Sequence, residues 1–297
     1  MTTSDPLLGR LDGDGVQVTI GPFLVRVRSE LDGVRTYLER LYSGFPLHAG
    51  IDGHFDIAVV GGRGLHRWIR PQAAVVINGA TPFFPLPATL AGGLLEWGLN
   101  WCVGRNAHRW VVLHAAVVER GGRALILPAP PGSGKSTLCA ALAYSGWRLF
   151  SDEFAILDPA TGLVRALPRP ISLKERSLDV IAARHPDVVF GPEGRDVEGV
   201  RFAHARPPAD SVARAQEPAI PAWVITPRYV PGSRTVLTPM PKAEALVSLA
   251  DQSFNYNYVA TGYQCLRELI RGVDCYSLEY SDVDDVLARL GQLAAHQ

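Results

Sequence analysis

Apolar and polar positions alternate along residues 16–28, VQVTIGPFLVRVR, on either side of Gly21-Pro22, which predicts two short strands or one bent one. The spacing becomes helical over 33–42, and strands are predicted again at 55–60 and 73–77. Between them lie a Gly61-Gly62 turn and the Arg-rich segment RGLHRWIRP. These elements predict a small N-terminal α+β unit over residues 1–86, closed by a proline-rich linker at 82–87, PFFPLP. From residue 87 the pattern is that of an α/β unit running to 297. A helical stretch, ATLAGGLLEWGLNWCVGRNA, leads into the strand RWVVLHAAVVER, and a Gly121-Gly122 turn returns the chain as the strand GGRALILP. Further on, RLFSDEFAIL reads as one strand carrying two acids, and PRPISLKERSLDVIAARHP starts extended and turns helical. Residues 185–221 hold six prolines and little periodicity, which predicts a mobile loop. Two strands, PAWVITPRY and CYSLEY, and three helices complete the chain, with no internal repeat.

The stretch at 125–138, LILPAPPGSGKSTL, changes this picture from fold to chemistry. An apolar strand ends in a Pro/Gly-rich bend that opens at once into a helix. Glycines at 132 and 134 let successive amides turn inward around a phosphate group, and the helix N-terminus favours the anion. Pro131, Gly132, Ser133, Gly134, Lys135, Ser136 and Thr137 are therefore the candidate nucleotide-binding residues. Lys135 is assigned to the phosphates and the Ser136 hydroxyl to Mg²⁺. Ala129 stands where the usual pattern begins with Gly. A ligand-free glycine turn explains the glycines but not a lysine and two hydroxyls at these offsets, in a chain with only three lysines among 29 basic residues.

Phosphoryl transfer also needs an acid to help hold the metal and a group to accept the nucleophile's proton. Asp152 and Glu153, about fifteen residues beyond the loop at the end of a predicted strand, are placed to supply both. Strict alternation would point them to opposite sides, one toward the metal and one toward the acceptor.

Composition narrows the class. The 297 residues are 47% hydrophobic, enough for a substantial core, and 29 acids balance 29 bases. No electrostatic footprint for nucleic acid or an anionic membrane is visible, and no apolar run is long enough to span a bilayer. Four dispersed cysteines form no C-x-x-C pair, and the start of the chain carries no export signal. The expectation is a reduced, cytoplasmic protein, with room for a homo-oligomer.

His114-Ala115-Ala116, the GGRALIL strand, PPGSGKSTL and SDE, in this order and spacing, resemble the catalytic domain of bacterial HPr kinase/phosphorylase, and more closely the HPr kinase-related kinases found beside peptide-modifying genes. The similarity extends through EWGLNWC at 96–102, PRPISLK at 168–174 and SFNYNYVATGY at 253–263. The resemblance implies a P-loop HPr kinase/PEP carboxykinase-like kinase domain using ATP and Mg²⁺, with a serine of a peptide or small protein as acceptor. It makes Asp152 the base, Glu153 and Ser136 the metal holders, and His114 a residue near the reacting atoms. Lys174 falls near the active site and reads equally well as a phosphate contact or a surface lysine. The arginine-rich C-terminal signature of the bifunctional enzymes is missing, so phosphorolysis is not implied. A small-molecule kinase and a non-catalytic nucleotide-binding scaffold are the rival readings. Trp97, Trp101, Trp110 and Trp147 read as core. Asn255, Tyr256, Asn257 and Tyr258 read either as a substrate groove or as a helix-entry turn.

Overall fold

The structure, a computed structural model, describes residues 5–62, 64, 69–130, 132–196 and 198–295. The alternating segment at its start forms a hairpin: β1 (Val16–Ile20) pairs antiparallel with β2 (Phe23–Ser29) across Gly21, whose φ of 52° allows the reversal. Alternate residues of β2 are buried, as its period-2 pattern requires. Helix α1 (Asp32–Leu41) turns Val34, Tyr37, Leu38 and Leu41 into the core. Strands β3 (Leu47–His48), β4 (Phe55–Gly61), β5 (Gln72–Ile77) and β6 (Leu86–Pro87) complete a six-stranded sheet in the order β3-β1-β2-β4-β5-β6. Most of the Arg-rich segment between β4 and β5 lies outside the described residues.

The proline-rich stretch contributes β6, and helix α2 (Ala91–Asn106) packs back onto the N-terminal sheet. Leu94, Leu95, Leu99 and Cys102 share a core with Val27, Ile57 and Val75. Gly98 permits the approach, since a Cβ there would stand 3.0 Å from Val75. The helix is apolar nearly all round because it is covered nearly all round.

A hairpin through Gly121-Gly122 joins β7 (Val111–Arg120) to β8 (Arg123–Pro128), which is followed by α3 (Lys135–Tyr144). The two acids lie between β9 (Arg148–Ser151) and β10 (Phe154–Leu157), and β11 (Val164–Arg165) follows. Beyond these come β12 (Ile171–Lys174), α4 (Arg176–Arg184), β13 (Gly194–Arg195), β14 (Arg201–Ala205) and α5 (Ala209–Ala213). The chain ends with β15 (Ile220–Tyr229), β16 (Val236–Pro239), α6 (Lys242–Asp251), α7 (Gly262–Gly272), β17 (Asp274–Tyr280) and α8 (Val283–Ala295).

The central sheet has eight strands, ordered β11-β10-β7-β8-β15-β17-β16 with β9 also on β7; β8, β15 and β17 are parallel neighbours within a mixed sheet. One face is covered by α3 and α8, whose Leu138, Leu142 and Leu290 share a core with Leu125, Leu127 and Trp223. The other is covered by α6 and α7 through Leu249, Leu266 and Ile270. The described residues are therefore mixed α/β, with three sheets among them. Among the described residues no helix is long and apolar enough to cross a membrane.

Residues 185–221 depart from the mobile loop expected. Here β14 pairs residue for residue with β12, from Ile171 opposite Ala205 to Lys174 opposite Phe202, and β13 adds a third strand. Four consecutive residues of β14, Phe202 to Ala205, are buried, so the segment carries no alternation to read.

Candidate functional site

Strand β8 delivers the chain to the loop and α3 carries it away, so the loop lies at the end of a central strand. Gly132 and Gly134 take φ angles of 82° and 87°, in the left-handed region that favours glycine. Pro131, predicted to belong to this loop, lies outside the described residues. Two tyrosines fix the turn. The Tyr229 amide donates to the Ser133 carbonyl at 3.0 Å, and the Tyr280 hydroxyl donates to the Gly134 carbonyl at 3.1 Å. Their rings meet edge to face at 5.8 Å. A Cβ on Gly134 would lie 2.5 Å from the Tyr280 hydroxyl, so both the backbone angle and the space demand glycine there.

A cavity of about 590 Å³ opens in front of the loop. Gly132, Ser133, Gly134, Lys135, Ser136 and Thr137 all line it. Lys135 is only 7% exposed, and its Nζ has no hydrogen-bond partner among the described residues. Burial pushes its pKa below the ordinary lysine value, against the opposing pull of Glu153, Asp152 and Cys139. A buried ammonium at a helix start favours an anion beside it, although the Lys135 and Ser133 amides already make long bonds of 3.4 Å within the loop, to Ser133 Oγ and the Pro130 carbonyl.

Of the two acids, Glu153 lines this cavity and Asp152 is buried beside it. β9 and β10 run along one edge of β7, with Val117 opposite Ser151 and His114 opposite Phe154; the pairing of β9 shifts register between Val117 and Val118, where Leu149 stands opposite Val118. The single strand expected here is interrupted at Asp152-Glu153. Ser151 supports the break by accepting from the amides of Glu153 at 3.2 Å and Phe154 at 2.9 Å. Glu153 lines the cavity, and its Oε2 lies 3.3 Å from His114 Nε2. Burial disfavours its charge, but the hydrogen bond from His114 and the charges of Lys135, His114 and Arg169 outweigh that, and its pKa falls below the ordinary value.

Asp152 differs. It is 2% exposed, and one oxygen accepts from the Ser172 amide at 2.8 Å. Burial, with the adjacent Glu153 charge, lifts its pKa to about 7 despite the opposing pull of Arg169 and that amide. Two neighbouring carboxyls are thus driven in opposite directions, one staying charged and one holding a proton near neutrality.

Ser172, Lys174, Glu175 and Arg176 form a third wall. Lys174 is exposed and pairs with Asp196 at 3.2 Å. Glu175 has a φ of 45° and is clamped to β14: its amide donates to the Arg201 carbonyl at 2.9 Å, and its Oε1 accepts from the Arg201 amide at 2.7 Å.

Sequence reading missed Tyr229, Tyr280 and the buried Arg169–Glu96 pair. The only signal for that pair is a charged residue at the start of EWGLNWC and another between the two prolines of PRPISLK. The NYNY segment divides: Asn255 is buried and ties Val112 and Trp110 of the β7 approach, whereas Tyr258 is 79% exposed. Trp110 and Trp147 are buried, with Trp97 and Trp101 packed at the core margin.

The residues fit a triphosphate with its divalent cation. Ser136 and Glu153 offer hard oxygen donors on the same cavity as Lys135. Among the described residues no group of three or more His, Cys, Asp or Glu could hold a metal ion.

No protein-family model matches the sequence, and no curated protein sequence does. Among solved structures, one that is similar is the HPr(Ser) kinase/phosphatase from Coxiella burnetii. The match has 14% identity, covers 63% of this chain and 99% of that one, and has a TM-score of 0.29, too loose to bear on any residue here.

Proposed function

We propose that this protein is an ATP- and Mg²⁺-dependent kinase that transfers the γ-phosphoryl group to a serine hydroxyl of a peptide or small protein. The observation that carries the reading is the buried Lys135 ammonium at the mouth of a glycine loop, on the same cavity as Glu153, with Asp152 buried beside that acid. Loop amides and Lys135 grip the phosphates, and Ser136 and the charged Glu153 hold the cation. When bound, Mg²⁺ draws charge from the transferring phosphoryl group. Asp152, poised near neutrality, takes the hydroxyl proton, and His114 keeps Glu153 oriented. Most of the acceleration then comes from alignment and electrostatics.

Calorimetry with ATP, with and without Mg²⁺, tests the binding half. Lys135→Met is expected to lower turnover by about 10²–10³, as removal of one charge-stabilising donor does. Mass spectrometry after incubation with ATP and either a serine-bearing peptide or free serine tests the acceptor. Absence of ATP uptake at millimolar concentration overturns the whole reading, and phosphorylation of free serine alone overturns its acceptor half.

A further inference from the structure

Behind the acid pair lies a buried polar network that none of the roles above uses. Arg169 is 3% exposed; its Nη1 lies 3.2 Å from Glu96 Oε2, and its Nη2 donates to Asn100. The other Glu96 oxygen accepts from the Tyr42 hydroxyl at 2.7 Å and the Tyr37 hydroxyl at 3.2 Å. Glu96 and Asn100 belong to α2 and the tyrosines belong to α1 or its C-terminal end, so the guanidinium is anchored wholly by the N-terminal part of the chain. Its Nε is buried with no hydrogen-bond partner among the described residues, and its guanidinium carbon lies 5.8 Å from the ring centre of Phe154, the residue after Glu153.

Three residues further on, the same segment presents the Ser172 amide to Asp152 and then Ser172 and Lys174 to the cavity. We propose that Arg169 is the positioning residue of the acid pair, and that Glu96, Asn100, Tyr37 and Tyr42 hold it in place, making α1 and α2 part of the working site. The proposal rests on the kinase reading for its effect on turnover, but not for its geometry. A buried ion pair is a poor device for stability alone, because well-packed apolar residues do as well or better. It is a good device for fixing one register: the planar fork of Arg reaches Glu96 and Asn100 at once, and slippage leaves charges buried and unpaired. Electrostatics agrees, since the Arg169 charge opposes protonation of both Asp152 and Glu153.

The test compares Arg169→Lys, Glu96→Gln and Tyr42→Phe with the unmodified chain by three measurements: turnover against KM for ATP, amide exchange at Ser172, and thermal stability. Arg169→Lys keeps the charge but loses the fork. It is expected to lower kcat by about 10–100-fold with KM for ATP within about threefold, and to speed Ser172 exchange beyond any global loosening. Tyr42→Phe removes one bond to Glu96, so a smaller change in the same direction is expected. It keeps the test open if the Arg169 variant does not fold. Loss of stability with kcat and relative Ser172 exchange unchanged overturns the proposal. If the unmodified chain phosphorylates nothing while Ser172 exchange still rises in the variants, the kinase reading fails and the positioning role stands.

Discussion

On the loop wall of the cavity, the chain reaches its shape through two glycines at positive φ, with cavity-lining tyrosines from β15 and β17 holding the turn. On the acid wall there is no glycine. The chain is held there by the Ser151 hydroxyl, the Ser172 amide and the buried pair of Arg169 with Glu96 of α2. Backbone freedom shapes the first wall, and polar groups that would be costly to leave unpaired shape the second. The first wall should therefore fail when a side chain is added, the second when a charge or hydrogen bond is removed.

The largest effect is expected on the acid wall. Asp152→Asn keeps an oxygen for the Ser172 amide but cannot take a proton, so kcat should fall by roughly 10²–10⁴ while calorimetry finds nucleotide affinity nearly unchanged. A variant that turns over normally would move the base role to Glu153, the acid that lines the cavity.

Next comes the loop wall, where two glycines separate two costs. At Gly132 a Cβ meets nothing within 4 Å, so Gly132→Ala should lose only the backbone term of about 1–2 kcal/mol, roughly tenfold in nucleotide affinity. At Gly134 the same angle is joined by overlap with Tyr280 and Tyr229. Gly134→Ala should lose clearly more affinity than its neighbour, by calorimetry, and melt lower. Equal losses would mean that the tyrosines give way and do not brace the turn.

The acid wall also predicts a pH signature. Asp152 has a folded pKa of about 7, above the ordinary 3.8, so between these values the folded chain holds a proton that the unfolded chain has released. The stability this contributes is present at low pH and is lost as pH rises through about 7. Buried His204, lowered to about 4, works in the opposite direction, because its protonation in the unfolded chain costs stability as pH falls below its ordinary value. His204 is common to both proteins. The Tm of Asp152→Asn minus that of the unmodified chain should thus grow from pH 4 to 7 and level off above. A flat difference would mean that Asp152 is ionised throughout.

How far each wall was legible in the sequence follows from how far apart its contacts lie along the chain. The loop is encoded within six residues, 132–137, and the offsets of glycine, lysine and hydroxyls state its chemistry locally. The acids were legible as a pair but not in their separate fates, because strand alternation says nothing of a break supported by Ser151. The braces were not legible at all: Tyr280 lies 146 residues from Gly134, and Arg169 lies 73 from Glu96. No periodicity links such pairs; only the order of strands brings them together. The same reason hid β14, whose partner β12 lies about thirty residues earlier, across α4 and β13.

The smallest effect is expected at Lys174, and it tests where the site ends. Like Lys135 it lines the cavity, but its side chain is 59% exposed and its charge is already met by Asp196 at 3.2 Å. An exposed pair of this kind is screened and holds little energy, so it has little to give a phosphate that Lys135 already neutralises. Lys174→Ala should change KM for ATP by no more than about twofold and leave Tm unchanged. A tenfold rise in KM would mean that Lys174 leaves Asp196 to reach the nucleotide, and would extend the charge-built wall to the outer rim of the cavity.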